Sequence, residues 1–537
     1  NIGNHIMNAA TTTFLDWFAS RLKKAGLDRA FGVPGGGASL DLMQALRRQG
    51  VETVVTARED AAVMMAGISG VLAQGPGLAF TTKGPGLANA TNGLASAALD
   101  RMPALLVAES FTDGELEFLS HQVYPQSELV APLLRQGQGA ELPPDRDAVE
   151  DWINGSGAAP AVMFPSASDF NRQMPDDWQP RDRTGSAAPD LEQAQSLLRA
   201  CKRPIVIMGL EAANSDLTAG LRAFASKLGA PVLCTYMAKG CIPDDDPHYA
   251  GIFTGGAIEQ AAMEAADLIV LVGLDPVELL RKPWAFSAPV LDLAERAYDP
   301  HYMTPAGQVI APLLETLPAL AVGIDGSGWE PTEIAELRMG FLHGMASGDS
   351  GGLSSTAVVK ATRDAFVDHP RLCVDAGAHM FSACAFWPGK APRDVLISNG
   401  LASMGFAVPA AIATALHEPE RGAIAMTGDG GFLMCLGELK TAVETKANVT
   451  IIVFNDGRLS LIDIKREDRQ MPDLDLSWTA PDFAAVARGF GFAAWQVEQD
   501  AELMPALNAA ASASGPRLID IRIDASPYRE QLRALRG

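Results

Sequence analysis

The chain has 537 residues, 48% of them hydrophobic, and a formal net charge of −22, enough length and apolar content for several cores and about three domains. So acidic a surface argues against nucleic acid or an anionic membrane as the main partner, because both demand basic surface, and a bound phosphate would have to rely on metal and backbone dipoles. No apolar run reaches the roughly 20 residues of a membrane span, and no basic-then-apolar leader opens the chain. The six cysteines show no C-x-x-C pair and no His/Cys ligand spacing, which reads as reduced, buried thiols in a cytoplasmic protein. Residues 1–6 read as a non-native lead before a start at Met7.

The first section, residues 8–172, has apolar runs at 29–33, 51–56, 77–82, 104–108 and 161–164 that alternate with helical patterns. Such βαβ alternation predicts a mostly parallel, doubly wound sheet. Two glycine-rich turns, Pro34-Gly35-Gly36-Gly37 and Thr82-Lys83-Gly84-Pro85-Gly86, each fall between a strand and a helix. Between them Thr56-Ala57-Arg58-Glu59-Asp60 ends a strand and opens an apolar-faced helix. On the residues alone, Glu59 is read equally well as an acidic first-turn residue that suits the helix dipole and as a functional carboxylate. The stretch 173–189, with Pro175, Pro180 and Pro189 among charges, has linker composition.

The second section, 190–337, carries strand candidates at 204–208, 231–234, 268–272 and 290–293. Its Gly273-Leu274-Asp275-Pro276 turn is similar to the strand-end loop of a nucleotide-binding sheet. Neither a complete G-x-G-x-x-G followed by an acidic residue nor a G-x-x-x-x-G-K-[ST] occurs there, which argues against an NAD-dependent dehydrogenase. After the Gly/Ser-rich stretch 344–352 comes the third section, 353–537. The fold class is therefore α/β, with three doubly wound parallel-sheet domains.

In the third section Asp375-Ala376-Gly377-Ala378-His379-Met380 ends one strand and begins a helix, where backbone N–H groups can hold an anion. Met404, in Gly400-Leu401-Ala402-Ser403-Met404-Gly405-Phe406, would by itself be core filler. The most informative pattern follows. Thr427-Gly428-Asp429-Gly430-Gly431-Phe432 ends the apolar run 423–426, Phe454-Asn455-Asp456-Gly457-Arg458 ends the run 449–454, and an amphipathic stretch at 436–446 lies between them. Strand, turn, helix, strand, turn is the pattern, so two parallel strand ends present two carboxylates to one crevice. A lone Gly-Asp-Gly is more often an ordinary turn. Two acidic turns together suit Mg²⁺, which takes one or two carboxylates plus phosphate oxygens.

These residues resemble the thiamine-diphosphate-dependent enzymes of the acetolactate synthase, benzoylformate decarboxylase and pyruvate decarboxylase group, over nearly the whole chain. The resemblance implies pyrimidine-binding, central and diphosphate-binding domains for the three sections, with thiamine diphosphate and Mg²⁺ as cofactors. It implies metal ligation by Asp429, Asp456 and the backbone carbonyl of Arg458, although many relatives have Asn-Asn where this chain has Asn455-Asp456. Cofactor contacts follow at Gly35, Gly36, Ala378, His379, Gly400, Ala402, Gly428, Gly430 and Gly431, with His379 a possible side-chain donor to the terminal phosphate. Met404 corresponds to the large apolar residue that holds the bent cofactor.

Within Arg58-Glu59-Asp60-Ala61-Ala62-Val63-Met64-Met65-Ala66, Glu59 matches the family's cofactor glutamate, whose carboxyl bonds N1′ of the aminopyrimidine. His121 and Gln122 fall where relatives place His-His or Phe-Gln and are implied to be catalytic. Gly37, Thr82 and Lys83 are implied to line the substrate side. Acetolactate synthases commonly have Ser at the Lys83 position, so this cation either meets a substrate carboxylate, sulfonate or phosphate or snorkels outward. Arg529, Arg533 and Arg536 read as a lid or a solvated helix.

The implied reaction is cleavage or formation of a C–C bond next to a carbonyl, by a decarboxylase or carboligase acting on a 2-oxo acid or related small donor. FAD is not expected, because FAD-binding relatives carry Arg-Phe-Asp-Asp where this chain reads Gly273-Leu274-Asp275-Pro276-Val277-Glu278. Alternatives are a lyase of 2-hydroxyacyl-CoA or oxalyl-CoA type and a non-catalytic cofactor-binding protein. The family places the glutamate and the Gly-Asp-Gly aspartate on facing subunits, which implies a homodimer or homotetramer with active sites at the subunit interface.

Overall fold

The structure, a computed structural model, describes residues 12–155, 159–174, 189–279, 283–298, 302–324, 326–346 and 350–537. The expected lead at 1–6, the start at Met7 and most of the linker at 173–189 lie outside the described residues. Three sheets of six strands, all paired in parallel, form the framework. The first contains β1 (Arg29–Val33), β2 (Glu52–Val55), β3 (Gly77–Thr81), β4 (Ala104–Ala108), β5 (Ala140–Glu141) and β6 (Ala161–Met163). The second contains β7 (Pro204–Met208), β8 (Val232–Cys234), β9 (Tyr249–Ile252), β10 (Leu268–Val272), β11 (Val290–Ala294) and β12 (Gly307–Ile310). The third contains β13 (Arg371–Val374), β14 (Val395–Ile397), β15 (Ala423–Gly428), β16 (Val449–Asn455), β17 (Ala493–Val497) and β18 (Arg517–Arg522).

Continuous apolar runs make these strands because helices cover both faces of each sheet. In the second sheet Val206 and Met208 point into one core cluster and Ile205 and Ile207 into another, all fully buried. Strand order decides where a ligand crevice opens. The first sheet runs β2-β1-β3-β4-β6-β5 and the third β14-β13-β15-β16-β18-β17, the same order. The order reverses between β1 and β3, and between β13 and β15, and at such points the loops beyond the strands' carboxyl ends diverge and leave room for a ligand. The second sheet, β9-β8-β7-β10-β11-β12, has the order of dinucleotide-binding folds. At its reversal the buried Glu278 carboxylate accepts the N–H groups of Leu210 and Asp275 and the Thr235 hydroxyl.

Two compact units are distinguishable. One takes in the described residues through 174 together with Ile412–Glu418 and Leu436–Thr445, and the other takes the rest of the described chain. Among the described residues no helix is long and apolar enough to cross a membrane. Five of the cysteines are buried and Cys201 is half-buried, all with free thiols.

One sequence expectation needs correction. Instead of a turn at 427–432, β15 continues through Gly428, paired with Phe454, and a helix Asp429–Cys435 begins at once. The ladder to β16 holds the backbone extended until the aspartate, so Asp429 emerges at the strand's very end. The amphipathic stretch then forms the shorter helix Glu438–Glu444.

Candidate cofactor site

In the second unit a cavity of about 460 Å³ opens at the reversal point of the third sheet. Ala378, His379, Ala402, Met404, Gly428, Asp429, Gly430, Gly431, Asp456 and Arg458, ten of the residues expected from sequence, line it, whereas Gly400 is not among its lining residues. Asp429 is 2% exposed. Its Oδ1 accepts the Gly430 N–H at 2.9 Å and its Oδ2 the Gly457 N–H at 2.8 Å. Asp456 Oδ1 accepts the Arg458 N–H at 3.2 Å, and Oδ2 accepts the Ser460 hydroxyl. Burial and then the charge of Asp456 push the Asp429 carboxyl up to about 7, and burial raises Asp456 as well. Two acids that resist ionising together are the electrostatic state a divalent cation relieves. Among the described residues no three His, Cys, Asp or Glu side chains converge in metal-binding geometry, so a cation here would complete its shell with carbonyl, phosphate or water oxygen, the habit of Mg²⁺.

His379 opens the helix His379–Phe386, buried, with its ring stacked on Phe454 at 5.2 Å. Burial pushes its pKa down to about 4 against a bond to the Met426 backbone that raises it. Such a bond stabilises the protonated form, so the ring is its donor. Nε2 is buried without a hydrogen-bond partner, which leaves the neutral ring presenting a lone pair there. A contact from the His379 side chain to a bound phosphate would run through Nε2, as the imidazolium or as the neutral tautomer with hydrogen on that atom.

Asp375 organises the site. It is fully buried and accepts the Gly405 N–H at 2.9 Å, the Phe406 N–H at 2.8 Å and the Thr427 hydroxyl at 2.9 Å. The turn that carries Met404 is thereby tied to the end of β15. Gly431 makes this possible, since a Cβ there would stand 2.0 Å from Asp375 Oδ2. A Cβ at Gly430 would meet Met404 Cε at 3.2 Å, so Met404 lies over a bare backbone.

In the first unit Glu59 is the first residue of the helix Glu59–Ala73, 9% exposed, and its Oε2 accepts from Asn89 Nδ2 at 3.2 Å. The preceding N–H groups of Ala57 and Arg58 bond Glu438 Oε1 at 3.1 and 3.0 Å. Glu438 is itself fully buried, and Thr441 donates to its other oxygen at 2.7 Å. At the reversal point of the first sheet, Gly35 lies against Thr82, where a Cβ would come within 2.3 Å of Thr82 Oγ1. A Cβ at Gly36 would meet nothing within 4 Å. His121 and Gln122 are exposed, and Gln122 is in the left-handed region at φ +63°. Its backbone crowds Gly84, whose Cβ would lie 2.8 Å from the Gln122 carbonyl oxygen.

Asp375, Glu438, Asn89 and Glu109 were not singled out by sequence. Each follows a strand end or faces one, a position that becomes visible once the strand order is known.

The profile described as "Thiamine pyrophosphate enzyme, N-terminal TPP binding domain" matches residues 12–130, the central-domain profile matches 191–303, and the C-terminal TPP binding domain profile matches 375–521. The chain belongs to the thiamine pyrophosphate enzymes. Its three parallel sheets fall one to each of the family's domains. Within the family it is similar to an acetolactate synthase of Bacillus subtilis (strain 168), 26% identical over 94% of this chain and 92% of that protein. It is also similar to a catabolic acetolactate synthase of Raoultella terrigena, 26% identical over 96% of this chain and 95% of that protein. A third relative, named "Probable 2-ketoarginine decarboxylase AruI", from Pseudomonas aeruginosa, is 27% identical over 93% of this chain and 92% of that protein. Relatives named for synthase and for decarboxylase activity match at equal levels, so the family assignment extends to a thiamine-pyrophosphate-dependent enzyme of the acetolactate synthase and decarboxylase group.

Proposed function

We infer that the protein is a thiamine-diphosphate- and Mg²⁺-dependent 2-oxo acid decarboxylase or carboligase. The observation that carries the reading is the pairing of buried Asp429 with half-buried Asp456 in one cavity with Met404. When bound, thiamine diphosphate supplies a carbon nucleophile for the substrate carbonyl and an electron sink for the bond that breaks. Asp429, Asp456 and the Arg458 carbonyl would hold a metal that neutralises its diphosphate, with Gly428, Gly430, Gly431 and Ala378 giving close backbone approach. Met404 would support the bent ring arrangement. Glu59 would hold a proton at N1′ of the aminopyrimidine. Asn89 fixes its Oε2 and so sets the orientation of the whole carboxyl group. His121 and Gln122 would handle proton transfer or orientation at the substrate. Because the family resemblance implies active sites shared between facing subunits, we take the working form to be a homodimer or homotetramer, which light scattering of the purified chain tests directly.

A lyase of CoA thioesters is a second reading, favoured by one observation: Arg458, Lys465 and Arg536, scattered in sequence, line the same cavity, which supplies basic groups for phosphate. The test is CO₂ evolution and product mass across a panel of 2-oxo acids, with and without aldehyde acceptors, on protein depleted of cofactor and then resupplied. Cofactor-dependent CO₂ release supports the first reading. No release from any 2-oxo acid, with cleavage of an acyl-CoA instead, selects the second, and inertness to both would refute each.

A further inference from the structure

The shared strand order of the first and third sheets invites a comparison of the residues beyond corresponding strands. In the third sheet, the residues after β15 and β16 include the acidic pair. In the first, the same places, after β3 and β4, hold Lys83 and Glu109. Glu109 is 2% exposed. Its Oε1 accepts the Ser39 N–H at 2.7 Å and the Ser39 hydroxyl, at the start of the helix Ala38–Arg48. Gly35 and Gly37 pack against this carboxylate, since a Cβ on either would stand 3.2 Å from one of its oxygens. Oε2 is buried with no hydrogen-bond partner. Lys83 Nζ lies 3.8 Å from it, beyond hydrogen-bond reach, and 4.3 Å from the Phe111 ring centroid.

The pair is therefore a cation positioned but not consumed. Ser39 and the helix N-terminus already satisfy half of Glu109, so the ammonium keeps donors for a third group. Its placement relative to Glu59 is fixed: the helix Pro85–Leu99 begins two residues after Lys83, and its Asn89 bonds Glu59. The strands that lead to the two residues, β2 and β3, are separated by β1, roughly 10 Å at the usual strand spacing. Lys83 and Glu59 thus both stand beyond the carboxyl ends of strands in one sheet.

We propose that Lys83, held by Glu109 and Phe111, receives a non-reacting anionic group of the substrate, so that the enzyme selects 2-oxo acids bearing a second carboxylate or sulfonate. The proposal rests on the 2-oxo acid reading above. The carboxylate lost as CO₂ is a poor occupant, because an ion pair to it stabilises the ground state that the reaction must leave. Glu109 is a positioning residue, and Lys83 makes the contact.

Calorimetry tests this on the full chain loaded with thiamine diphosphate and Mg²⁺, carrying Glu59→Gln so that bound donors are not turned over. Oxaloacetate, 2-oxoglutarate and sulfopyruvate are compared with pyruvate and 2-oxobutyrate. The expected result is at least about tenfold tighter binding of a dianionic donor, equivalent to about 1.4 kcal/mol. Lys83→Met abolishes the preference with monoacid binding unchanged, Lys83→Arg retains it, and Glu109→Gln weakens it. Equal affinities for the two classes, a preference that survives Lys83→Met, or no binding of any donor would each overturn the proposal. Lys83-dependent diacid binding with no CO₂ released by the protein with Glu59 intact would leave the subsite standing and defeat the reaction reading. Turnover of monoacids without a diacid preference would do the reverse.

Discussion

Asp429 Oδ2 accepts the Gly457 N–H at 2.8 Å, joining the ends of two parallel strands through residues that lie 28 positions apart in the chain. Gly457 sits at φ +65°, and a Cβ there would come within 2.7 Å of the Trp478 carbonyl oxygen, so the bond depends on a glycine that no other residue replaces without strain. The acidic pair is thus built into the backbone before any cation arrives.

Asp429→Asn separates the electrostatic role from the structural one. Removing one of two adjacent like charges, itself buried, relieves repulsion in the metal-free protein, so its thermal midpoint should be no lower than that of the unmodified chain above pH 7. Binding of thiamine diphosphate, titrated calorimetrically with and without EDTA, should weaken by at least about tenfold and lose its Mg²⁺ dependence. Retained Mg²⁺ dependence would assign the metal elsewhere.

Gly431→Ala should be far more disruptive than its neighbour Gly428→Ala. The first Cβ meets Asp375 Oδ2 at 2.0 Å and forces it off the Gly405 and Thr427 bonds, whereas the second meets His379 at an ordinary 3.5 Å. A loss of about 1–3 kcal/mol for Gly431→Ala, read from the thermal transition with Gly428→Ala alongside, checks the wiring through Asp375.

Met404→Ala removes the side chain lying over Gly430. If Met404 supports the cofactor's bent form, kcat should fall about 10²-fold with KM for the donor little changed, and Met404→Leu should recover most of it. A change confined to stability would reduce Met404 to core filler.

Much of this was legible in the sequence, for identifiable reasons. The strands at 104–108, 204–208 and 268–272 fall at the expected residues because their uninterrupted apolar runs reflect burial on both faces. Asp429 and Asp456 stood out because a carboxylate at a strand end beside glycine has few structural duties, whereas Glu59 was singled out by the family motif around it. The helix at Asp429 did not, because its paired glycines are poor helix formers and read as a turn. Glu438 and Glu109 were equally hidden: their partners, the Ala57–Arg58 amides and Ser39, lie 380 and 70 positions away. Short edge strands such as β5 and β12 carry too few residues for a period to register.

Glu278 supplies a pH signature outside the cofactor site. Burial pushes its carboxyl up to about 8 from an ordinary 4.5. Between those values the folded protein keeps a proton that the unfolded chain has lost, so this group's contribution falls as pH rises, by at most about 1.4 kcal/mol per pH unit. Glu278→Gln should flatten the decline in thermal midpoint from pH 5 to pH 8, and an unchanged slope would refute the assignment.

The most direct test of the central claim is the exchange rate of the thiazolium C2 proton of bound thiamine diphosphate, followed by NMR after dilution into deuterated buffer. With Glu59 at N1′, the unmodified protein should exchange fast and Glu59→Gln about 10²–10⁴-fold more slowly, with cofactor still bound. Equal exchange rates in the two proteins would contradict the account.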